Sequence, residues 1–502
     1  GGIMADKLLG YRKAVMLGAL LMTLGHGSMA LETEFFFYLG LGLLILGNGF
    51  FKPNISSIVG QIYKNESEKK DAAYTIFYMG INAGAFLGIL LCGYIGEKVG
   101  WSFGFGLAGI FMFLGMLMFH FGQGIFGKIG LRPNSKAALE AAANDDEEDE
   151  VEEEQNPKVI RDRLFAIVIF SFFTIFFWMA FEQAGGSMTI FAKDYTQRIL
   201  TGGNATLFFW LNTILTIAPL AIVTYVLFLL FKVTFKKYFL SNLWLGLSFV
   251  IIWGAAIWML NKEFNMRGYE IEIAEGNSVT VRFDEELAPG TAVNLLDLDG
   301  KGTYKLISEE EVAEYSSITE GTILKKKENE TEVPASWFGI LNSFFIISFA
   351  PVFSKIWASK FNPTGPQKFA LGLILLGLGF AALAFGGMSI AKGADSAAVS
   401  MGWLIVAYLL HTLGELCVSP VGLSYVSKLA PVKLVGLMFG IWFGCTAIAN
   451  YFAGLSGSLI DTITEKYSIS AFFMIYTILP VAAGLVLFAI NKWMLRKMHG
   501  IR

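Results

Sequence analysis

Apolar stretches about twenty residues long recur along almost the whole chain, and that is the length an α-helix needs to cross the ~30 Å hydrocarbon core of a bilayer. Backbone N–H and C=O groups find no water there, so such a chain must satisfy them internally and folds as a bundle of helices. The scan gives about twelve candidate spans: 14–31, 34–60, 72–96, 101–126, 163–192, 205–231, 238–260, 336–357, 367–388, 401–427, 434–460 and 469–494. Composition agrees. Of 502 residues, 55% are hydrophobic and 16% charged, against roughly 25% charged in a soluble domain. That is too little charge to cover a water-facing surface. A soluble enzyme, a disordered chain and a nucleic-acid binder are excluded, and the fold class is an all-α polytopic membrane protein. The 55 glycines and 46 phenylalanines suit closely packed membrane helices. Cys92, Cys417 and Cys445 lie in apolar stretches, which speaks against a disulfide framework or a zinc site.

Lys and Arg in short loops set orientation. Lys64, Lys69 and Lys70 follow the second span, and Lys128 and Arg132 the fourth. Lys232, Lys236 and Lys237 follow the sixth, with Lys355, Lys360 and Lys368, then Lys428 and Lys433, and finally Lys492, Arg496 and Lys497 further on. All fall on one side. The opposite side carries Glu32, Glu34, residues 393–400 and residues 461–465. The basic side is therefore read as cytoplasmic, with both ends of this chain inside an inner (cell) membrane that the chain crosses many times. The chain opens with neither Met nor a signal-peptide pattern, and residues 1–13 read as a polar loop that follows a helix. The expectation is a piece of a longer protein.

Two segments break the helical pattern. Residues 134–160 hold the acidic run NDDEEDEVEEE, read as a solvated linker. Residues 262–333 are polar, and YEIEIAEGNSVTVRF alternates with period two around Glu275–Gly276–Asn277, which predicts a β-hairpin. Residues 297–300 (DLDG) look like the start of a calcium loop but lack its later ligands, so they are read as a turn. The domain boundaries drawn from this are an N-terminal bundle at 1–127, a linker at 128–161, and a first helix of the C-terminal bundle at 162–192. An extra helix pair at 205–260, an external β-rich insert at 262–333 and the remaining bundle at 334–502 complete the chain.

Ionisable groups inside a span cost a few kcal/mol and need a partner, water or a function. Lys52, before Pro53, Glu182 and Glu415 stand out. Three such charges of both signs point to a gated polar cavity, in which a Lys–Glu pair holds the path shut until protonation or substrate weakens it. Asn82 and Asn342 can both donate to and accept from a peptide-like amide. Trp178 and Trp442 offer aromatic walls, Tyr78 lies where it would line the path, and Pro53, Pro351 and Pro420 mark sites for kinks. His26 and His411 are read as packing residues. Neither an HExxH motif nor a nucleophile with its base appears, so the chain is not read as an enzyme.

The motifs around these residues resemble a known family. GGIMADKLLGYRK looks like the cytoplasmic loop motif of the major facilitator superfamily, in which Asp6, Arg12 and Lys13 would latch onto a helix terminus. GNGFFKPNISS, FYMGINAGAFLG and FFWMAFEQAGGSMTIFA are similar to signatures of the proton-dependent oligopeptide transporters. LNSFFIISFAPVF, GELCVSPVGLSYVSKLAP and GIWFGCTAIANYFAG are similar to further ones, in the same order. The resemblance implies two helical bundles and proton-driven uptake of di- and tripeptides by alternating access, with the proton as coupling ion and no other cofactor. It gives Lys52 the peptide carboxylate or a coupling partner. Asn82, Asn342 and Glu415 receive the peptide backbone and ammonium, Glu182 the switching salt bridge, and Trp178 and Trp442 the side-chain pockets. The family's first helix carries two Glu, an Arg and a Tyr in a motif that this chain does not show, so its first two helices are expected to be missing. Other small zwitterionic or anionic solutes are the nearest alternative. A receptor that senses ligand through the insert is the distant one, and it has no need of charges at membrane depth.

Overall fold

The computed structural model describes residues 1–62, 77, 80–131, 156–273, 277–297, 304–309, 312, 318–327, 330–357, 359–360, 362–431 and 434–501, without the side chains of residues 6, 423, 427, 435 and 436. Tyr78, Lys64, Lys69, Lys70, Arg132, Lys433, the whole acidic run, residues 298–300 of the DLDG segment and the Glu275–Gly276 turn lie outside the described residues, as does the Asp6 side chain. Among the described residues, eleven helices are long and apolar enough to cross a membrane. The twelfth predicted span is also a helix, Tyr11–Met29 (α1). Arg12, Lys13 and His26 make it less apolar than the others.

The chain divides into two compact units. One is Gly1–Asp146 with Ile199–Pro334, and the other is Glu147–Arg198 with Ala335–Arg502.

In the first unit, α1 packs along α2 (Glu34–Ile62). Glycines seven residues apart make this crossing close. A Cβ on Gly18 would stand 2.7 Å from the Gly47 carbonyl oxygen, and one on Gly40 would stand 2.7 Å from that of Gly25. Backbones can meet like this only where neither helix carries a side chain, the usual means of association when the surrounding lipid is as apolar as leucine. α3 (Gly80–Lys98) contains a π-helical stretch at Ile89–Gly93 and leads into α4 (Trp101–Gly122). The extra pair, α7 (Gly202–Thr234) and α8 (Phe239–Asn265), belongs to this unit. α8 packs on α4, where Ser241 Oγ donates to the Met118 carbonyl at 2.9 Å.

The insert is β-rich, as the alternation predicts. Antiparallel strands Arg267–Ile273 (β2) and Asn277–Phe283 (β3) pair Tyr269 with Val281 and Ile271 with Val279. They join a five-stranded sheet in the order β3-β2-β6-β4-β5, with β4 at Ala292–Asp297, β5 at Tyr304–Ile307 and β6 at Ile318–Lys327. One face buries Tyr269, Ile271, Val281, Phe283, Leu295 and Ile323. Tyr269 and Phe283 stack 4.4 Å apart, and the Tyr269 hydroxyl donates to the Glu285 carbonyl at 3.1 Å. A short ribbon of Ile199–Thr201 (β1) and Glu330–Glu332 (β7) returns the chain to the helices.

In the second unit, α5 (Pro157–Phe181) starts earlier than the apolar run suggests. Asn156 caps it by accepting from Lys158 N at 3.0 Å, and Pro157 occupies the first turn, so the segment 158–161 is helical rather than linker. The helix stops at Phe181, passes through a 3-10 turn at Glu182–Gly185, and resumes as α6 (Ser187–Asp194). Glu182 therefore stands at a break and not near the middle of a continuous span, because Gly185 and Gly186 interrupt the helix. The remaining helices are α9 (Ile340–Trp357), α10 (Gly365–Gly387), α11 (Gly402–Leu429), α12 (Val435–Gly457) and α13 (Ile469–Ala489). α10 is central, with Phe369, Leu373, Leu376, Phe380 and Leu383 buried between α11 and α13. Pro53, Pro351 and Pro420 all lie inside helices that run through them.

Candidate functional site

The strongest polar constellation in the second unit forms on α11. Tyr408, His411, Thr412 and Glu415 are spaced i, i+3, i+4 and i+7, so they share one stripe of the helix. Gly414 fixes the position of this stripe. A Cβ on Gly414 would stand 2.7 Å from the Gly372 carbonyl, and the reverse distance is also 2.7 Å, so α10 and α11 touch through their backbones next to Glu415. Glu415 Oε2 accepts from Asn342 Nδ2 at 2.9 Å. The same amide nitrogen reaches Thr412 Oγ1 at 3.1 Å. Thr412 donates to the Tyr408 carbonyl at 2.8 Å, and the Tyr408 hydroxyl reaches the Ala184 carbonyl at 3.3 Å. One network thus links α9, α11 and the break after α5. Glu182, at that break, lies within electrostatic reach of Glu415.

Gln183 holds the break in place. It is 1% exposed. Its Nε2 donates to the Ala453 carbonyl of α12 at 2.9 Å, and its Oε1 accepts from Ser187 Oγ at 2.7 Å. Burying a side-chain amide costs a few kcal/mol unless its groups are paired, and here both ends are paired across the interruption. Trp178 is half-buried one turn earlier, edge-on to Phe181 with ring centres 5.3 Å apart. Trp442 is 4% exposed and meets Phe369 edge-on, while its indole presses on Gly422, where no side chain would fit. Within this unit Trp442 is part of the packed interior. His411 is buried against Phe380 with ring centres 4.4 Å apart.

In the first unit, Lys52 is an exposed residue of α2. Pro53 removes an N–H from the helix ladder, and the following polar side chains reinforce it. Asn54 Nδ2 donates to the Phe50 carbonyl at 2.7 Å, Ser56 Oγ to that of Lys52 at 3.0 Å and Ser57 Oγ to that of Pro53 at 2.9 Å. Asn82 is buried in α3. Arg12 reaches the turn after the 3-10 stretch (Gln123–Phe126) that follows α4: Nε donates to the Ile129 carbonyl and Nη2 to that of Gly127, both at 2.6 Å. Lys13 is exposed.

Sequence reading missed Thr412, Tyr408, Gln183 and Asn54. The first two were visible as the helical stripe that also contains Glu415. Gln183 and Asn54 had no such signal, because an amide beside a Gly pair or a Pro gives no sign of which carbonyl it will meet.

Known proteins bear on this arrangement. A profile of the POT family matches residues 12–144 and 316–478. The chain is 28% identical over 464 residues to the peptide transporter YePEPT of Yersinia enterocolitica subsp. palearctica serotype O:3, covering 91% of this chain and 75% of that one. It is 26% identical over 516 residues to a di-/tripeptide transporter of Lactococcus lactis subsp. cremoris, covering 100% and 84%. The crystal structure of a peptide transporter POT in complex with sulfate matches at a TM-score of 0.63 and 25% identity, over 100% of this chain and 84% of that one. The two profile segments contain Lys52, Asn82, Asn342 and Glu415, and between them lie α5, α6, the inserted pair and strands β2 to β5 of the insert. This multi-pass membrane chain, a transporter and not an enzyme, belongs to the POT family.

Proposed function

We propose that this chain is a proton-coupled carrier of di- and tripeptides that works by alternating access in the cell membrane, with the ends of this chain on the cytoplasmic side. The observation that carries the reading is the Asn342–Glu415 pair at 2.9 Å. A carboxylate that accepts a neutral amide inside a helical bundle keeps lone pairs for a further donor. A peptide's terminal ammonium is such a donor, and a proton is the competitor for the same oxygens. Lys52 takes the peptide carboxylate, and Asn82 and Asn342 read the backbone amides. Glu182, at the helix break that Gln183 anchors, joins the switching step. Trp178 lines space for side chains, and Tyr78 contributes to the path. Because ammonium and proton compete for Glu415, occupancy of one biases the equilibrium that the other senses, which is the physical content of coupling. The relatives named for di- and tripeptides support the substrate class, and the one-sided distribution of Lys and Arg in the short loops supports the orientation.

The test is reconstitution in liposomes with an imposed pH gradient and a labelled dipeptide. Glu415→Gln and Lys52→Ala are each expected to lose proton-driven uptake. Wild-type rates in both variants would overturn the reading.

A further inference from the structure

A cavity of about 350 Å³ opens where the extra helix pair meets the β-rich insert. Glu263, Phe264 and Arg267 line it at the end of α8, Trp210 at the start of α7, and Lys326 from β6. Its charges are incompletely paired. Glu263 accepts only hydroxyl hydrogen bonds among the described residues, from Tyr94 at 2.6 Å and Thr331 at 3.1 Å. Among the described residues, Arg267 donates only to the carbonyls of Phe264 and Met266, at 2.7 and 2.9 Å. Lys326 has an exposed partner, Glu286, at 2.7 Å, a pairing of little energetic weight at a surface. A second acid on the wall, Glu330, is already occupied by Arg282 at 2.6 Å. Among the described residues, the cavity therefore offers a carboxylate that accepts no hydrogen bond from a cation, a guanidinium hydrogen-bonded to carbonyls alone, and an ammonium whose one acid partner, Glu286, is exposed. A ligand that complements both carries an ammonium and a phosphate-like anion a short distance apart, since Arg suits phosphate oxygens and a carboxylate suits an ammonium.

The surroundings identify the source. Trp210 is 57% exposed, and Phe264 is exposed beside it. Aromatic residues at span ends mark the membrane boundary. From the cavity, Leu207, Trp210, Leu211 and Ile214 run down α7 at i, i+3, i+4 and i+7, all exposed on one face. That stripe is a track for hydrocarbon. We propose that this cavity binds the headgroup of a zwitterionic phospholipid, its ammonium on Glu263, its phosphate on Arg267 and Lys326, and its acyl chains along α7.

The test is native mass spectrometry of the full chain in detergent, titrated with phosphatidylethanolamine or phosphatidylglycerol of identical acyl chains. The wild type is expected to retain one phosphatidylethanolamine with a preference of about tenfold. Glu263→Gln is expected to abolish that preference, and Arg267→Gln to lower retention of both lipids, because both carry the phosphate that Arg267 holds. Arg267→Gln serves as the folding control, because its guanidinium bonds only to carbonyls of its own segment, and it is expected to elute as a single species. Free phosphoethanolamine at matched concentration is expected not to displace the lipid. Equal retention of both lipids by the wild type overturns the proposal, as does wild-type preference in Glu263→Gln or wild-type retention in Arg267→Gln. Displacement by free phosphoethanolamine or by a dipeptide at matched concentration also overturns it.

Discussion

Glu415 in the helical body and Glu270 in the β-rich insert are each held by one nitrogen at 2.9 Å, yet their settings are opposite. Glu415 accepts from a neutral amide, half-buried on a stripe that continues through Thr412 and Tyr408. Glu270 meets Lys325, whose side chain is mostly exposed, on a sheet face with charged neighbours. In the body, a polar group survives only by having a defined partner or a function, because the surrounding lipid offers none. In the insert, water solvates whatever a partner does not, so its ion pairs are replaceable and its apolar face supplies the stability. The same carboxylate chemistry is committed in one region and incidental in the other.

The sharpest way to break that contrast is Tyr269→Ala. Removing a fully buried aromatic ring from so small a core is expected to cost about 3–5 kcal/mol and to open the insert, seen as hydrogen exchange confined to residues 267–327. Uptake is expected to persist. Its complete loss, with normal membrane insertion, would make the insert part of the transport cycle.

Gly372→Leu attacks the body. Its Cβ would start 2.7 Å from the Gly414 carbonyl, an overpacking expected to cost about 1–3 kcal/mol. The expected readout is a lower thermal midpoint together with lost uptake, because the crossing that positions Glu415 is forced apart. Unchanged uptake would show that the Gly372–Gly414 contact does not set the site.

Thr412→Val removes one hydroxyl from the Asn342–Glu415 network and is expected to cost about 0.5–1.5 kcal/mol, with a shift in the pH dependence of uptake larger than the loss of stability. A parallel decline in both would make Thr412 merely structural.

The smallest effect belongs to the insert's surface acids. The hydrogen bond from Lys325 holds Glu270 below its ordinary value of 4.5, and the one from Lys326 does the same for Glu286. Groups depressed in this way contribute stability that is present above about pH 4.5 and lost as pH falls through their lower folded-state values. Opening of β2 and β3, followed by hydrogen exchange corrected for its intrinsic pH dependence, is expected to rise slightly below that pH. In Glu270→Gln this rise should be smaller. An unchanged pH response in that variant would assign the loss to other groups.

Much of this was legible in the chain itself. The apolar stretches gave membrane helices because hydrocarbon thickness fixes their length, and the period-two alternation gave the β2–β3 hairpin because one face of a sheet must be buried. Motifs spread along both halves carried the family resemblance, and the family profile covers both halves. Lys52, Asn82, Asn342 and Glu415 stood out as candidates because polar groups are rare inside spans. Other features needed distances between residues far apart in sequence. Sequence could not show that α8 packs on α4 through Ser241, or that the inserted pair and the β-rich insert form one compact unit with the first bundle. Nor could it show that Trp442 is interior packing, or that Asn342, 73 residues from Glu415, is its hydrogen-bond partner. Local composition determines which segments must leave water. Only the tertiary fold decides which carbonyl, amide or carboxylate each segment then meets, because those partners come from other helices and their pairing depends on where backbones can approach closely.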